Sequence, residues 1–341
     1  MRGVRGSAHF VFPRTASAFR VSAPKLRSRA GSTSPTDWSA AVTRAALLVS
    51  PNSGGGAAAR IAGTTAALLR ESVDVLDLLV PTSTAEAAAM AERVVGANVD
   101  ALVVLGGDGA AHVALQACAG TPTALAVIPA GTGNDLARAL GSRSAADLVP
   151  ALRSGERRRV DLGRVRGGRW FATVLCAGFD SAVNARANRM RWPAGPRRYD
   201  LALLAELLGP RPGRLLLGTP KGEIGVNALL VAVGNTGSYG GGVPVCPGAD
   251  PEDGLFDVTV VEAVSRRTLL RVLPTLRTGD HTAHPAVHTF RASSIRLAGP
   301  AWTAYADGER QRALPVTATC VPGALSTIPS VLTDSSIPAR T

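Results

Sequence analysis

The sequence predicts a doubly wound α/β domain followed by a mainly β, sandwich-like domain. Three observations carry this. Apolar runs and helical stretches alternate from Ala45 to Ile128, and glycine-rich loops follow three of those runs. After about Val160 the texture changes to Val- and Thr-rich runs divided by Gly and Pro turns.

The rhythm starts with the apolar run Ala45 to Val49, a glycine loop, an Ala-rich helical stretch to Arg70 and a second run from Val73 to Leu79, which reads as strand, helix, strand. Helical stretches at Thr84 to Val95 and Ala111 to Cys118 then alternate with runs at Ala101 to Leu105 and Leu125 to Ile128. This is the βαβ order of a parallel sheet. Beyond Val160, strands are expected at Trp170 to Cys176, Asn227 to Val233, Phe256 to Val261 and Ile295 to Leu297. Two helical inserts, Ser181 to Met190 and Asp200 to Leu208, flank the basic, proline-broken link RWPAGPRRY. The boundaries read as a disordered basic extension over 1–40, the α/β domain over 41–160, the β domain over 161–325 and a disordered tail over 326–341.

A chain of 341 residues suits two domains of ~100 to 200 residues each. No run approaches the ~20 apolar residues of a membrane span, so any bilayer contact is expected to be peripheral. Cys118, Cys176, Cys246 and Cys320 lie far apart without a CxxC pair, which argues against zinc or a disulfide framework and fits a reducing cytoplasm. The net charge of +12 is uneven: residues 1–36 hold seven Lys or Arg and no acid, leaving 30 basic against 25 acidic residues beyond. That segment lacks the apolar core of a secretory signal. No nucleic-acid partner is expected for the mildly basic remainder.

The three glycine loops are SPNSGGG (Ser50 to Gly56), GGDG (Gly106 to Gly109) and PAGTGND (Pro129 to Asp135), each at a strand C-terminal end. In an open parallel sheet those ends border the ligand crevice, and glycine lets backbone amides approach a phosphate. None matches GxxxxGK[ST], and none completes GxGxxG, because His112 and Leu136 stand where third glycines would be. What remains is a phosphate cradle of backbone amides, with Asp108 placed to organise Mg²⁺ or its water shell around a triphosphate.

Five blocks in order, VVLGGDGAAHVALQA (Val103 to Ala117), IPAGTGNDLAR (Ile128 to Arg138), NTGSYGGG (Asn235 to Gly242), PGADPEDGLFDV (Pro247 to Val258) and YADGER (Tyr305 to Arg310), resemble those of bacterial diacylglycerol kinases and related lipid kinases. The resemblance spans roughly residues 44–325 and extends distantly to sphingosine kinases and NAD kinases. It implies an ATP- and Mg²⁺-dependent lipid kinase, cytoplasmic and peripheral at the inner membrane face, with lipid substrate and ATP as partners; a homodimer is compatible with it. It also implies that Gly106, Gly107, Asp108, Gly109, Ala110, Ala111 and His112 line the ATP phosphates. Gly131, Thr132, Asn134 and Thr82 (or Thr84) would join them. Asp253 would give a carboxylate to a structural Mg²⁺, with Asp250 and Leu255 giving carbonyls, while Asp257 is structural. Glu309 would take the proton of the lipid hydroxyl, Asp307 stands beside it, and Asp108 is the rival base.

The chain departs from the family pattern at Ser50, where Asn is usual, at Ala110 for Thr, at His112 for Asn and at Val113 for Glu. Two other classes therefore stay open: a soluble-metabolite kinase of NAD kinase type, and a catalytically silent lipid- or nucleotide-binding protein. His281, His284 and His288 are not expected to bind zinc, because Pro285 breaks any helix that would align them. Trp192 with Arg189, Arg191, Arg197 and Arg198 reads either as a patch for anionic headgroups or as a solvated loop.

Overall fold

A computed structural model describes residues 41–179, 186 and 212–330. The expected N-terminal extension, both helical inserts apart from Arg186, the Trp192 patch and the tail beyond 330 lie outside these residues.

The first lobe follows the apolar rhythm closely: β1 (Arg44–Val49), α1 (Ala57–Arg70), β2 (Val75–Leu79), α2 (Thr84–Gly96), β3 (Ala101–Gly106), α3 (Asp108–Cys118), β4 (Ala124–Pro129), α4 (Asp135–Ala139) and α5 (Val149–Ser154). The strands are parallel in the order β2-β1-β3-β4. All of β3 is buried, as a strand covered by helices on both faces must be. Because successive side chains point to opposite faces, the buried strand residues divide into two layers. Leu48, Leu102 and Val104 pack with Ala91 of α2 and Leu115 of α3, while Leu47, Val103 and Leu105 pack with Leu69 of α1 and Leu152 of α5.

The second lobe is antiparallel: β5 (Arg158–Val165), β6 (Trp170–Phe171), β7 (Val174–Gly178), β8 (Gly213–Thr219), β9 (Gly222–Gly234), β10 (Phe256–Glu262), β11 (Val287–Ala292), β12 (Ser294–Ala298), β13 (Thr303–Ala306), β14 (Glu309–Ala313) and β15 (Val316–Thr327), with α6 (Arg266–Val272) after β10. Its core gathers around the stacked rings of Phe171 and Phe256, 5.6 Å apart, with Leu215, Leu217 and Val231. The α/β-then-β architecture is therefore the one expected.

Two boundaries differ from expectation. β5 continues the chain to Val165 as an antiparallel partner of β15, past the expected break at 160. β15 then runs through Ser326 and Thr327, both buried, and pairs parallel with β4 through Thr327 and Leu125. Residues 326–330 are thus described structure and not the start of a disordered tail, because the last strand closes the edge of the first lobe's sheet.

Candidate active site

The strand order reverses direction between β1 and β3, the place where open α/β sheets leave a crevice beyond their strand ends. The Ser50–Gly56 loop after β1 and the Gly107 turn after β3 meet there: Ser53 Oγ donates to Ser50 Oγ and accepts from the Gly107 amide at 3.3 Å. The third loop packs backbone on backbone against the second. A Cβ on Gly131 would lie 2.5 Å from Gly107 Cα, so only glycine permits the approach. The cleft so formed, about 400 Å³, is lined by residues of the first loop, Pro81 to Thr84, Gly107, Gly109, Ala110, His112 and Val113, and by Arg169 and Glu309 from the second lobe.

Asp108 opens α3, and its carboxylate turns toward the third loop: Oδ2 accepts from the Asn134 amide at 2.7 Å and Oδ1 from the Asp135 amide at 2.6 Å. It therefore caps the N-terminus of α4 from a neighbouring loop. Burial raises its pKa, and the Asp135 charge adds to the rise against the opposing amide bonds. Asn134, at φ 56, closes the same loop on itself through two side-chain bonds to Gly131. Thr132 is exposed at the loop tip. Asp135 in turn accepts from Arg138 and from the amides of Gly241 and Gly242, joining the NTGSYGGG loop to the cradle.

Thr82 lines the cleft beside the start of α2. Ser83 caps that helix by accepting from the Glu86 amide, and Glu86 reaches back to the Thr82 amide and hydroxyl at 2.7 and 2.6 Å. This is a variant of the capping box, displaced by one residue. It holds the Thr82 main chain at the cleft wall. Thr84 lines the same wall.

Glu309 arrives on the β13–β14 hairpin. Asp307 and Gly308 have φ 51 and 78 between the paired residues Ala306 and Glu309, the geometry of a two-residue turn that Asp-Gly favours. Asp307 anchors that turn. Its Oδ1 accepts from the Thr173 amide and hydroxyl at 2.8 and 2.7 Å, its Oδ2 accepts from the Ala172 amide at 2.9 Å, and Oδ2 lies 3.3 Å from His112 Nδ1. His112 is buried on α3 and meets Gln116, which bonds the Trp170 backbone twice. Asp307 is thereby a bracket between the lobes, and it leaves Glu309 exposed at the cleft. The two candidate bases separate: Glu309 faces the space, while Asp108 is spent on the α4 amides. Ala111 is buried beneath the cradle. Arg169, which no motif flagged, brings a cation to the same wall.

The Pro247 to Val258 block forms a loop pinned from within. The Asp161 carboxylate accepts from the amides of Gly254 and Gly323, both at 2.7 Å, and its amide donates to Pro251. Asp250 accepts from the Glu252 amide and Asp253 from the Leu255 amide. Arg291 bonds both Asp253 and Asp257. Burial raises the Asp257 pKa, and the Asp250 charge adds to the rise. Such oxygen donors fit a hard cation like Mg²⁺, in competition with the Arg291 guanidinium. Among the described residues no group of three or more His, Cys, Asp or Glu converges on a metal centre. The three histidines part company: His281 meets Val245 O, His284 accepts from Ala286 and His288 pairs with Glu262.

Residues 44–165 match the diacylglycerol kinase catalytic domain model, and residues 173–329 match the YegS C-terminal NAD kinase beta sandwich-like domain. The chain is 42% identical over 299 residues to a diacylglycerol kinase of Mycobacterium tuberculosis, covering 84% of this chain and 95% of that protein. It is 29% identical over 227 residues to a Shewanella frigidimarina protein named "Probable lipid kinase YegS-like", covering 64% and 73%. Among solved structures, a diacylglycerol kinase of Bacillus anthracis superposes with a TM-score of 0.65 at 19% identity, over 84% of this chain and 96% of that one, which is a likeness of fold.

Proposed function

The chain belongs to the diacylglycerol kinase family, and from that premise we propose that it transfers the γ-phosphoryl group of ATP to the free hydroxyl of diacylglycerol, yielding phosphatidic acid and ADP. The observation that carries this reading is the position of Glu309, an exposed carboxylate in the wall of a cleft that the first two glycine loops also line.

The cradle binds. The Gly109 amide and the donors of the Ser50–Gly56 loop face the triphosphate, with Thr82 at its rim and Thr132 on the neighbouring third loop, and Arg169 balances its charge. Asp108 keeps the third loop in register with the second. Glu309 accepts the proton as the lipid oxygen forms its bond to the γ-phosphorus and the bridging bond to the β-phosphate breaks in line. Magnesium, when bound with ATP, would neutralise charge on the phosphates; a structural Mg²⁺ would be held by Asp253 with the Asp250 and Leu255 carbonyls. The lipid is met at a membrane surface from the cytoplasmic side, as the family resemblance implies; no described helix is long and apolar enough to cross a bilayer.

The test is incubation with labelled ATP and mixed micelles of diacylglycerol, ceramide, sphingosine or polyprenol, with NAD as a soluble acceptor. Label in phosphatidic acid is the expected result. Label in another lipid would move the acceptor within the family, NADP would replace the reading, and nucleotide binding without turnover would make the protein a silent binder.

A further inference from the structure

A second cavity, of about 670 Å³, lies against α4 and the turn that follows it, and it shares no lining residue with the cleft. Its wall includes Pro129 and Asn134 from the far side of the third glycine loop with Arg138, Ser142, Arg143 and Arg158, and no Asp or Glu lines it. Arg138 is tied to Asp135 and the Gly133 carbonyl, and Arg158 to Glu252. Arg143 is exposed, with no hydrogen bond or ion pair among the described residues.

The hydroxyls supply the independent observation. Ser142 is 6% exposed, yet its Oγ has no hydrogen-bond partner, and Ser330 Oγ is likewise buried and unpartnered. Buried side-chain polar atoms in folded proteins nearly always have a partner, and a hydroxyl that has none within the chain points to a water or an ion beside it. Rotatable O–H donors beside guanidinium forks, with no carboxylate in the wall, match a tetrahedral oxyanion. The volume falls in the ~300 to 1,000 Å³ range of small-molecule sites.

We propose that this cavity is a second binding site, separate from the ATP cleft, for a phosphate-bearing ligand. Ser142 and Arg143 supply its donors. The occupant is either a soluble phosphorylated compound or a phospholipid headgroup, which present the same group.

The experiment uses the full chain saturated with a non-hydrolysable ATP analogue, so that the cradle is filled. Inorganic phosphate and glycerol 3-phosphate are titrated by calorimetry, and the protein is sedimented with phosphatidylcholine vesicles with and without phosphatidylglycerol. The same measurements are made on Ser142→Ala and Arg143→Glu, whose melting temperatures check folding. Saturable phosphate binding weakened by about tenfold or more in Arg143→Glu supports the site and assigns it to a soluble compound. Retention on phosphatidylglycerol vesicles that both variants lose supports it and assigns it to a headgroup. Absence of both, or binding that neither variant changes, overturns the proposal and leaves the cavity to water. Because the readout is binding with the cleft occupied, it stands or falls apart from the identity of the lipid acceptor.

Discussion

His112 Nδ1 lies 3.3 Å from Asp307 Oδ2, so the helix that opens at the phosphate cradle is joined to the turn that delivers Glu309. The two residues belong to different lobes, and the join is buried.

Glu309→Gln is expected to lower kcat by ~10² to 10⁴ while Mg-ATP affinity and melting temperature stay as they are, since the exposed carboxylate makes no bond the fold depends on. Asp108→Asn should do the opposite. It places an amide where two backbone N–H groups donate, costing ~1 to 3 kcal/mol of stability and loosening the third loop. Nucleotide calorimetry, thermal melts and turnover with diacylglycerol on both variants check the pair. A Glu309→Gln protein that no longer binds nucleotide would reverse the assignment.

His112→Ala should cost ~1 to 3 kcal/mol, because it leaves a cavity and removes a partner of a largely buried carboxylate. It should also lower kcat more than the KM for ATP changes, by freeing the hairpin. His112→Asn, which restores the residue usual in the family, keeps a donor near Asp307 and should recover part of kcat. Urea unfolding and steady-state kinetics together read both effects.

Magnesium alone is expected to raise the melting temperature by preferential binding to the folded loop. Asp253→Ala should abolish the rise. Arg291→Gln should enlarge it, because the competing guanidinium is gone. A melting point indifferent to Mg²⁺ in all three proteins would show that the loop binds none.

Asp100 gives a pH dependence of known sign. Burial pushes its pKa up, but the Arg44 amide, the Thr43 hydroxyl and amide, and Arg157 outweigh this, and the net shift is down. A depressed folded pKa makes stability that is present above the ordinary carboxylate value and is lost as pH falls through the lowered one. Thermal melts across the acid range should show wild type above Asp100→Asn at neutral pH, with the gap closing on acidification.

What was legible in the sequence was what is local. β1, β3 and β4 announced themselves as unbroken apolar runs closed by glycine loops, and Asp307-Gly308 as a turn. β14 carries Glu309, Arg310, Gln311 and Arg312 with no buried face, so nothing periodic marks it. β15 is interrupted by Pro322 and Gly323, where the register shifts between Val321 and Leu325 and the Gly323 amide is taken by Asp161, so no continuous strand pattern marks it. The site's joints span distances no pattern covers: Asp307 to His112 is 195 positions, and Asp135 to Gly241 is 106. No local cap marks α4, because the carboxylate that holds its first turn is Asp108, 27 residues before Asp135. Arg169 sits on a hairpin with no motif at all.

The path of β15 bears on how such a chain can be divided. The two family models part between residues 165 and 173, which marks a seam in ancestry. It is no seam in folding: a fragment ending at 165 would present β5 as unpaired amides along its length and would lose the bridge at Leu125 of β4, leaving the bare edge that recruits other chains. The C-terminal fragment would carry a strand with nowhere to end. Each half supplies the selvedge of the other, so the halves are expected to be made, folded and degraded as a single piece.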